Sequence, residues 1–159
     1  MVHEAVLEDF LTLKDVQVYC CGTPGLVKTA FESFIKKYFP DFSQILKRYG
    51  SVQIRNVCTI GGNIATASPI GDTLPILLSL NSEIVIETTK NKKILPLKNF
   101  FLGYRKTKLK KGEFIYSIKI PIYKNNVFKA YKISKRFDDD ISSLCASFNL
   151  EIVNKKIKK

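Results

Sequence analysis

The stretch Gly50-Ser-Val-Gln-Ile-Arg-Asn-Val-Cys-Thr-Ile-Gly-Gly-Asn-Ile-Ala-Thr-Ala-Ser-Pro-Ile-Gly-Asp72 decides how the chain is read. Its first part, Val52 to Val57, carries β-branched residues and reads as a short extended segment. The adjacent glycines of Thr59-Ile60-Gly61-Gly62-Asn63 allow positive φ and a close backbone approach to a ligand. Successive N–H groups in such a turn form an anion-binding nest. Ser68-Pro69-Ile70-Gly71-Asp72 reads as a second turn, because proline and glycine set turn geometry, and Asp72 can accept from a sugar or ring N–H. By themselves two glycines more often make only an ordinary turn.

Working outward, helical and alternating patterns divide the rest. Asp41 to Tyr49 reads as a short helix capped by Asp41, with Ile45 and Leu46 inward, and Thr73 to Leu80 as an apolar one. Glu83 to Thr88 and Lys92 to Leu97 read as strands joined at Lys90-Asn91. Glu113 to Pro121, Val127 to Ser134 and the alternation of Leu144, Ala146, Phe148, Leu150 and Ile152 add more. The predicted class is α+β, an antiparallel sheet with one buried face, flanked by helices. A further strand is expected to start at Val153-Asn154-Lys155. Before this, residues 1–13 have helical spacing, Asp15 to Cys20 alternates as a strand, and Thr23-Pro24 caps a helix running to Tyr38.

Length fits about one domain, and a hydrophobic content of 45% supports a core. The 26 basic and 14 acidic residues give a net charge of +12. The lysines are scattered through loops without interleaved aromatics, a solvated surface rather than a nucleic-acid footprint. Four cysteines without a CxxC pair, and a single His, argue against a metal site or a disulfide scaffold. No apolar run approaches the roughly 18 to 20 residues of a membrane span, and no signal-peptide pattern opens the chain. A soluble, cytoplasmic location is expected, with neither nucleic acid nor membrane as partner. Gly22 to Thr29 approaches a P-loop, but Val27 stands where that motif needs glycine.

The central stretch resembles the second flavin-binding motif in the FAD domain of the xanthine dehydrogenase and carbon monoxide dehydrogenase family, with its TIGGN-type and ASPIxD-type turns. The resemblance continues through Phe100 to Thr107, Gly112-Glu113-Phe114-Ile115, and Tyr131 to Ile141, and covers about residues 38–159. It implies that Thr59, Ile60, Gly61, Gly62 and Asn63 hold the FAD pyrophosphate. It also implies FAD contacts at Asp72, Tyr49, Ile115 and Lys132, with Ser134 to Asp140 beside the flavin ring. Tyr49 and Ile115 read equally as core residues, and Asp138 to Asp140 as a solvated acidic turn.

The implied chemistry is electron transfer from molybdenum and iron–sulfur centres to FAD and then to NAD, in the setting of purine catabolism. Those centres would lie in partner subunits or domains. Residues 1–37 resemble instead the C-terminal end of ferredoxin reductase-like enzymes of the CDP-glucoseen reductase type. That resemblance implies nicotinamide contacts at Cys21, Gly22, Thr23 and Pro24. The Pro-x-Ala-Gly-Gly-Thr-type turn expected at the start of an FAD domain does not precede Tyr38. The chain therefore reads as residues 1–37 from one flavoenzyme and 38–159 from another, the alternative function being a non-catalytic remnant. A loosely docked first unit predicts early proteolysis between about Lys36 and Asp41.

Overall fold

The computed structural model describes residues 33–123 and 125–158. The first helix and strand of the sequence reading, with Cys21, Gly22, Thr23 and Pro24, lie outside the described residues. Residues 33–38 are helical. Pro40 then disfavours the helical region for Phe39, which takes φ −138° and ψ 66°. The chain turns there and restarts as α1, Pro40–Lys47, with proline in its first turn. Asp41 sits in that first turn, while Phe39 is the capping residue and supplies no side-chain cap.

The segment expected to be extended is a helix, α2, Val52–Val57. Local hydrogen bonding overrides β-propensity here. Gly50 has φ +53°, and an added Cβ would lie 2.9 Å from Ile54 Cγ2, so glycine is required at this turn. Ser51 Oγ then accepts from Ile54 N–H at 3.2 Å and caps the helix. The Gly-Gly segment is also helical rather than a positive-φ turn. It opens α3, Ile60–Thr66, with Thr59 Oγ1 accepting from Gly62 N–H at 3.0 Å. Ala67, in the left-handed region at φ 46°, ends it. The Ser68-to-Asp72 turn forms as expected, with Gly71 N–H donating to Ser68 O at 3.0 Å, and leads into α4, Thr73–Ser79.

Eight strands follow among the described residues: β1 Glu83–Glu87, β2 Lys92–Pro96, β3 Phe101–Gly103, β4 Lys106–Thr107, β5 Phe114–Lys119, β6 Asn126–Ile133, β7 Leu144–Val153 and β8 Lys156–Ile157. All pairings are antiparallel, but the strands form two three-stranded sheets, β2-β1-β5 and β6-β7-β8, and a β3-β4 ribbon. The antiparallel sheet flanked by helices that the sequence predicts is present and is divided in two, since β5 ends before Pro121 and β6 pairs with β7. The expected extra strand is β8, joined through Asn154 and Lys155 at φ 50° and 60° in a tight hairpin turn.

The helices lie against both sheets. α3 packs on β5 and on α4; α4 packs on β7; α1 packs on β6. β6 is an edge strand, and α1 closes its free edge. Asp41 Oδ2 accepts from Ala130 N–H at 3.3 Å, and Arg48 donates to Lys132 O at 3.2 Å. Phe42, Ile64, Ile76, Leu77, Ile84, Leu97 and Phe100 are wholly buried. Ile35 and Phe39 belong to this same cluster, and Phe39 meets Phe128 of β6 edge-on at 5.8 Å.

Ile35 and Phe39, on either side of residue 38, are thus packed in the core, while residues 1–32 of the unit expected to dock loosely lie outside the described residues. Limited proteolysis should leave the bonds from Lys36 to Asp41 intact until the domain unfolds globally. Early cleavage there, with the C-terminal piece protected, would contradict this packing.

Candidate functional site

A cleft of about 260 Å³ opens where the ends of α1, α3 and α4 meet β6. Tyr49, Asn63, Asp72 and Lys132, four of the residues singled out in the sequence, line it together with Gly50, Ile70 and Asp140. Thr59, Ile60, Gly61 and Gly62 form the adjoining start of α3. Ile115 lies beneath that start, with its Cβ 3.8 Å from the position a Gly61 Cβ would take. Asn63 belongs to both parts, since it follows Gly62 on α3 and also faces the cleft.

Asp72 and Lys132 form the wall of the cleft. The Lys132 ammonium donates to Asp72 Oδ2 at 2.6 Å and to the Asp140 carbonyl at 3.1 Å. Ser142 Oγ donates to the other Asp72 oxygen, and the Cys145 thiol to the Asp72 carbonyl at 3.4 Å. The side chains of Lys132 and Asp72 are only 2% and 6% exposed. Both charged groups are thus buried and matched. Burial, followed by the nearby Asp72 carboxylate, pushes the Cys145 thiol up to about 11.

Two arginines hold the far lip. Arg48, which ends α1, donates to Phe137 O at 3.0 Å and Ser134 Oγ at 3.0 Å as well as to Lys132 O, and lies 4.8 Å from the Phe137 ring centre. Arg55 of α2 donates to the Tyr49 and Gly50 carbonyls, both at 3.0 Å, and as a fork to Asp138 at 2.9 and 3.2 Å. That bond is the main reason the Asp138 carboxyl lies below the ordinary carboxylate range. Asp140 is held low chiefly by the Arg136 N–H, which donates to it at 2.8 Å. The segment that reads as a solvated acidic turn is therefore tied to the helices.

Tyr49 accepts from Asn63 Nδ2 at 2.7 Å, and Thr73 Oγ1 donates to Asn63 Oδ1. Burial above all raises the Tyr49 hydroxyl above its usual value, with Cys58 and Asp72 adding to the effect. At the start of α3, the Ile60 and Gly61 N–H groups have no acceptor among the described residues. A Cβ on Gly62 would meet only Thr59 Oγ1, at 3.0 Å, and otherwise open space. Among the described residues no group of His, Cys, Asp and Glu could hold a metal ion, and no helix is long and apolar enough to cross a membrane.

The sequence reading missed Arg48, Arg55, Thr73 and Ser142. A signal existed for the first two. Only Arg48, Arg55, Arg105 and Arg136 are arginines in a lysine-dominated chain, and arginine is favoured where a planar fork must meet several acceptors. Nothing local marked Thr73 or Ser142.

Lys132→Met should lower the unfolding free energy in urea by about 3–5 kcal/mol, because it leaves Asp72 buried and unpaired. Combining it with Asp72→Leu should recover much of that loss. A single-variant cost below about 1 kcal/mol would show that the pair is hydrated rather than buried.

The comparisons agree on the family. Residues 23–123 match the family model described as the FAD binding domain in molybdopterin dehydrogenase. The match starts at Thr23, inside the segment for which a second resemblance was read. Nicotinate hydroxylase of Emericella nidulans is 34% identical over 144 residues, 89% of this chain and 11% of that protein. Xanthine dehydrogenase of Blastobotrys adeninivorans is 38% identical over 131 residues, 76% of this chain and 9% of that protein. The chain thus spans about a tenth of the length of these relatives.

In fold, it is similar to a carbon monoxide dehydrogenase chain from Hydrogenophaga pseudoflava, with TM-score 0.72, 21% identity, and coverage of 79% of this chain and 44% of that one. Quinoline 2-oxidoreductase from Pseudomonas putida 86 gives TM-score 0.69 and 20% identity, covering 78% of this chain and 43% of that one. With the family model spanning residues 23–123 and the α+β architecture shared, the chain belongs to the FAD-binding-domain family of the molybdopterin dehydrogenases.

Proposed function

We propose that this chain supplies part of the FAD site of a xanthine dehydrogenase-like molybdenum hydroxylase. The observation that carries the reading is convergence. Tyr49, Asn63 and Asp72 come from one stretch and Lys132 from 60 residues beyond Asp72, yet all four line one cleft beside the Thr59–Gly62 helix start. Family membership supplies the identity of the ligand.

The residues fit such a ligand. The unpaired Ile60 and Gly61 N–H groups would bind phosphate oxygens. The bare Gly62 position lets phosphate reach the backbone, with Thr59 holding the helix end in place. Ile54, Ile70 and Ile141, about half exposed on the cleft rim, offer apolar contact to a flat ring. At about 260 Å³ the cleft lies just below the usual range of about 300–1,000 Å³ for ligand sites. It would take part of a dinucleotide, the remainder lying along the α3 start. Asp72 and Lys132 act through each other, as a rigid wall. FAD, when bound, supplies the acceptance and release of electrons; the protein supplies its position.

The reading includes NAD as onward acceptor, iron–sulfur and molybdenum-binding domains or subunits as partners, and a cytoplasmic location. A flavin-fluorescence titration tests its core. Wild type should bind FAD at ~tens of micromolar, about 6 kcal/mol. Gly62→Val should weaken binding by about tenfold or more while the melting temperature stays within a few degrees, because its side chain fills the space of phosphate approach. Equal affinity in the variant would remove the α3 start from the site.

A further inference from the structure

The polar groups around Tyr49 have a direction. Thr73 is buried in the first turn of α4, and its hydroxyl donates to Asn63 Oδ1. The buried Thr73 hydroxyl has no other acceptor among the described residues, so it donates to Asn63 Oδ1 and the amide nitrogen faces Tyr49, where Nδ2 donates to the Tyr49 oxygen at 2.7 Å. An amide nitrogen cannot accept, so the Tyr49 O–H hydrogen must point elsewhere. No acceptor for it exists among the described residues, and Tyr49 lines the cleft. Across the cleft, both oxygens of Asp72 are already matched, by Lys132 and Ser142.

We propose that Tyr49 is an obligatory hydrogen-bond donor to an oxygen acceptor of the bound dinucleotide, with Asn63 and Thr73 as the positioning residues that keep it a donor. The proposal rests on the FAD reading above and adds what the site selects, namely an uncharged carbonyl or a phosphate oxygen facing Tyr49. The raised hydroxyl keeps its proton across the neutral range, as a donor must. The opposite amide orientation would make Tyr49 donate to Asn63 and leave nothing for the ligand.

The test is FAD titration of the purified chain as wild type, Tyr49→Phe, Thr73→Val, Thr73→Ser and the Tyr49→Phe/Thr73→Val double variant, with a melting curve for each. Tyr49→Phe should bind about tenfold more weakly. Thr73→Val should show a similar loss, Thr73→Ser should bind like wild type, and the double variant should be no weaker than Tyr49→Phe alone, because both changes remove one donor. Repeating Tyr49→Phe with riboflavin and with ADP assigns the acceptor. A loss with riboflavin points to a ring carbonyl and a loss with ADP to a pyrophosphate oxygen, either supporting the proposal, whereas a loss with neither overturns it. Wild-type FAD affinity in Tyr49→Phe would overturn the proposal and leave the FAD reading standing. Additive losses in the double variant would overturn the positioning role of Thr73. Absence of FAD binding by wild type would overturn the proposal and the FAD reading together.

Discussion

The buried ion pair between Lys132 and Asp72 is the constraint on which the site depends. One partner comes from β6, the other from the turn before α4, and the ammonium-to-carboxylate distance is 2.6 Å. A lone buried charge costs several kcal/mol, so each group is retained inside only while the other is in place. Ser142 and the Asp140 carbonyl complete the matching. The pair therefore fixes the position of the second sheet relative to α4, together with the Ser79–Ser147 hydroxyl contact at 2.7 Å. A cleft bounded by that junction is stiff on one side.

The opposite side is built differently. Here α2 buries no residue completely and is held by its Ser51 cap and by Arg55. Arg48 and Arg55 reach the 134–140 segment from helices more than eighty residues away in sequence. These contacts are exposed or partly buried, so salt and water weaken them. The cleft thus has a wall fixed by burial and a lip fixed by solvent-accessible forks. Ligand entry at the lip disturbs weaker bonds than entry at the wall.

Much of the fold was legible because it is local. Apolar spacing located α1 and α4, and alternation located β1, β2, β5, β6 and β7, since each pattern reflects which side of one element is buried. Val52 to Val57 misled because three β-branched residues outweigh a serine cap on the page, whereas in the chain the cap and the Arg55 tether decide. The Gly-Gly pair misled in a similar way. It reads as a turn, yet the Thr59 cap draws it into a helix, leaving its bare backbone at the helix start. The division into two sheets is non-local and depends on which strand β6 finds, which no single segment encodes. In the site, the motif residues were visible, but their mutual geometry was not. Thr73 and Ser142 matter only through partners ten and seventy residues away.

The most direct test of the account is a map of backbone amide shifts by NMR as FAD is added to the isotopically labelled chain. The account predicts that shifts concentrate at Ile60, Gly61, Gly62 and Asn63 and at Tyr49, Gly50 and Asp139 to Ile141, the helix start and the cleft it adjoins. Shifts confined to the lysine-rich loops at Lys90 to Lys93 and Lys108 to Lys111 would show attraction of an anion to a basic surface, and would contradict a built site.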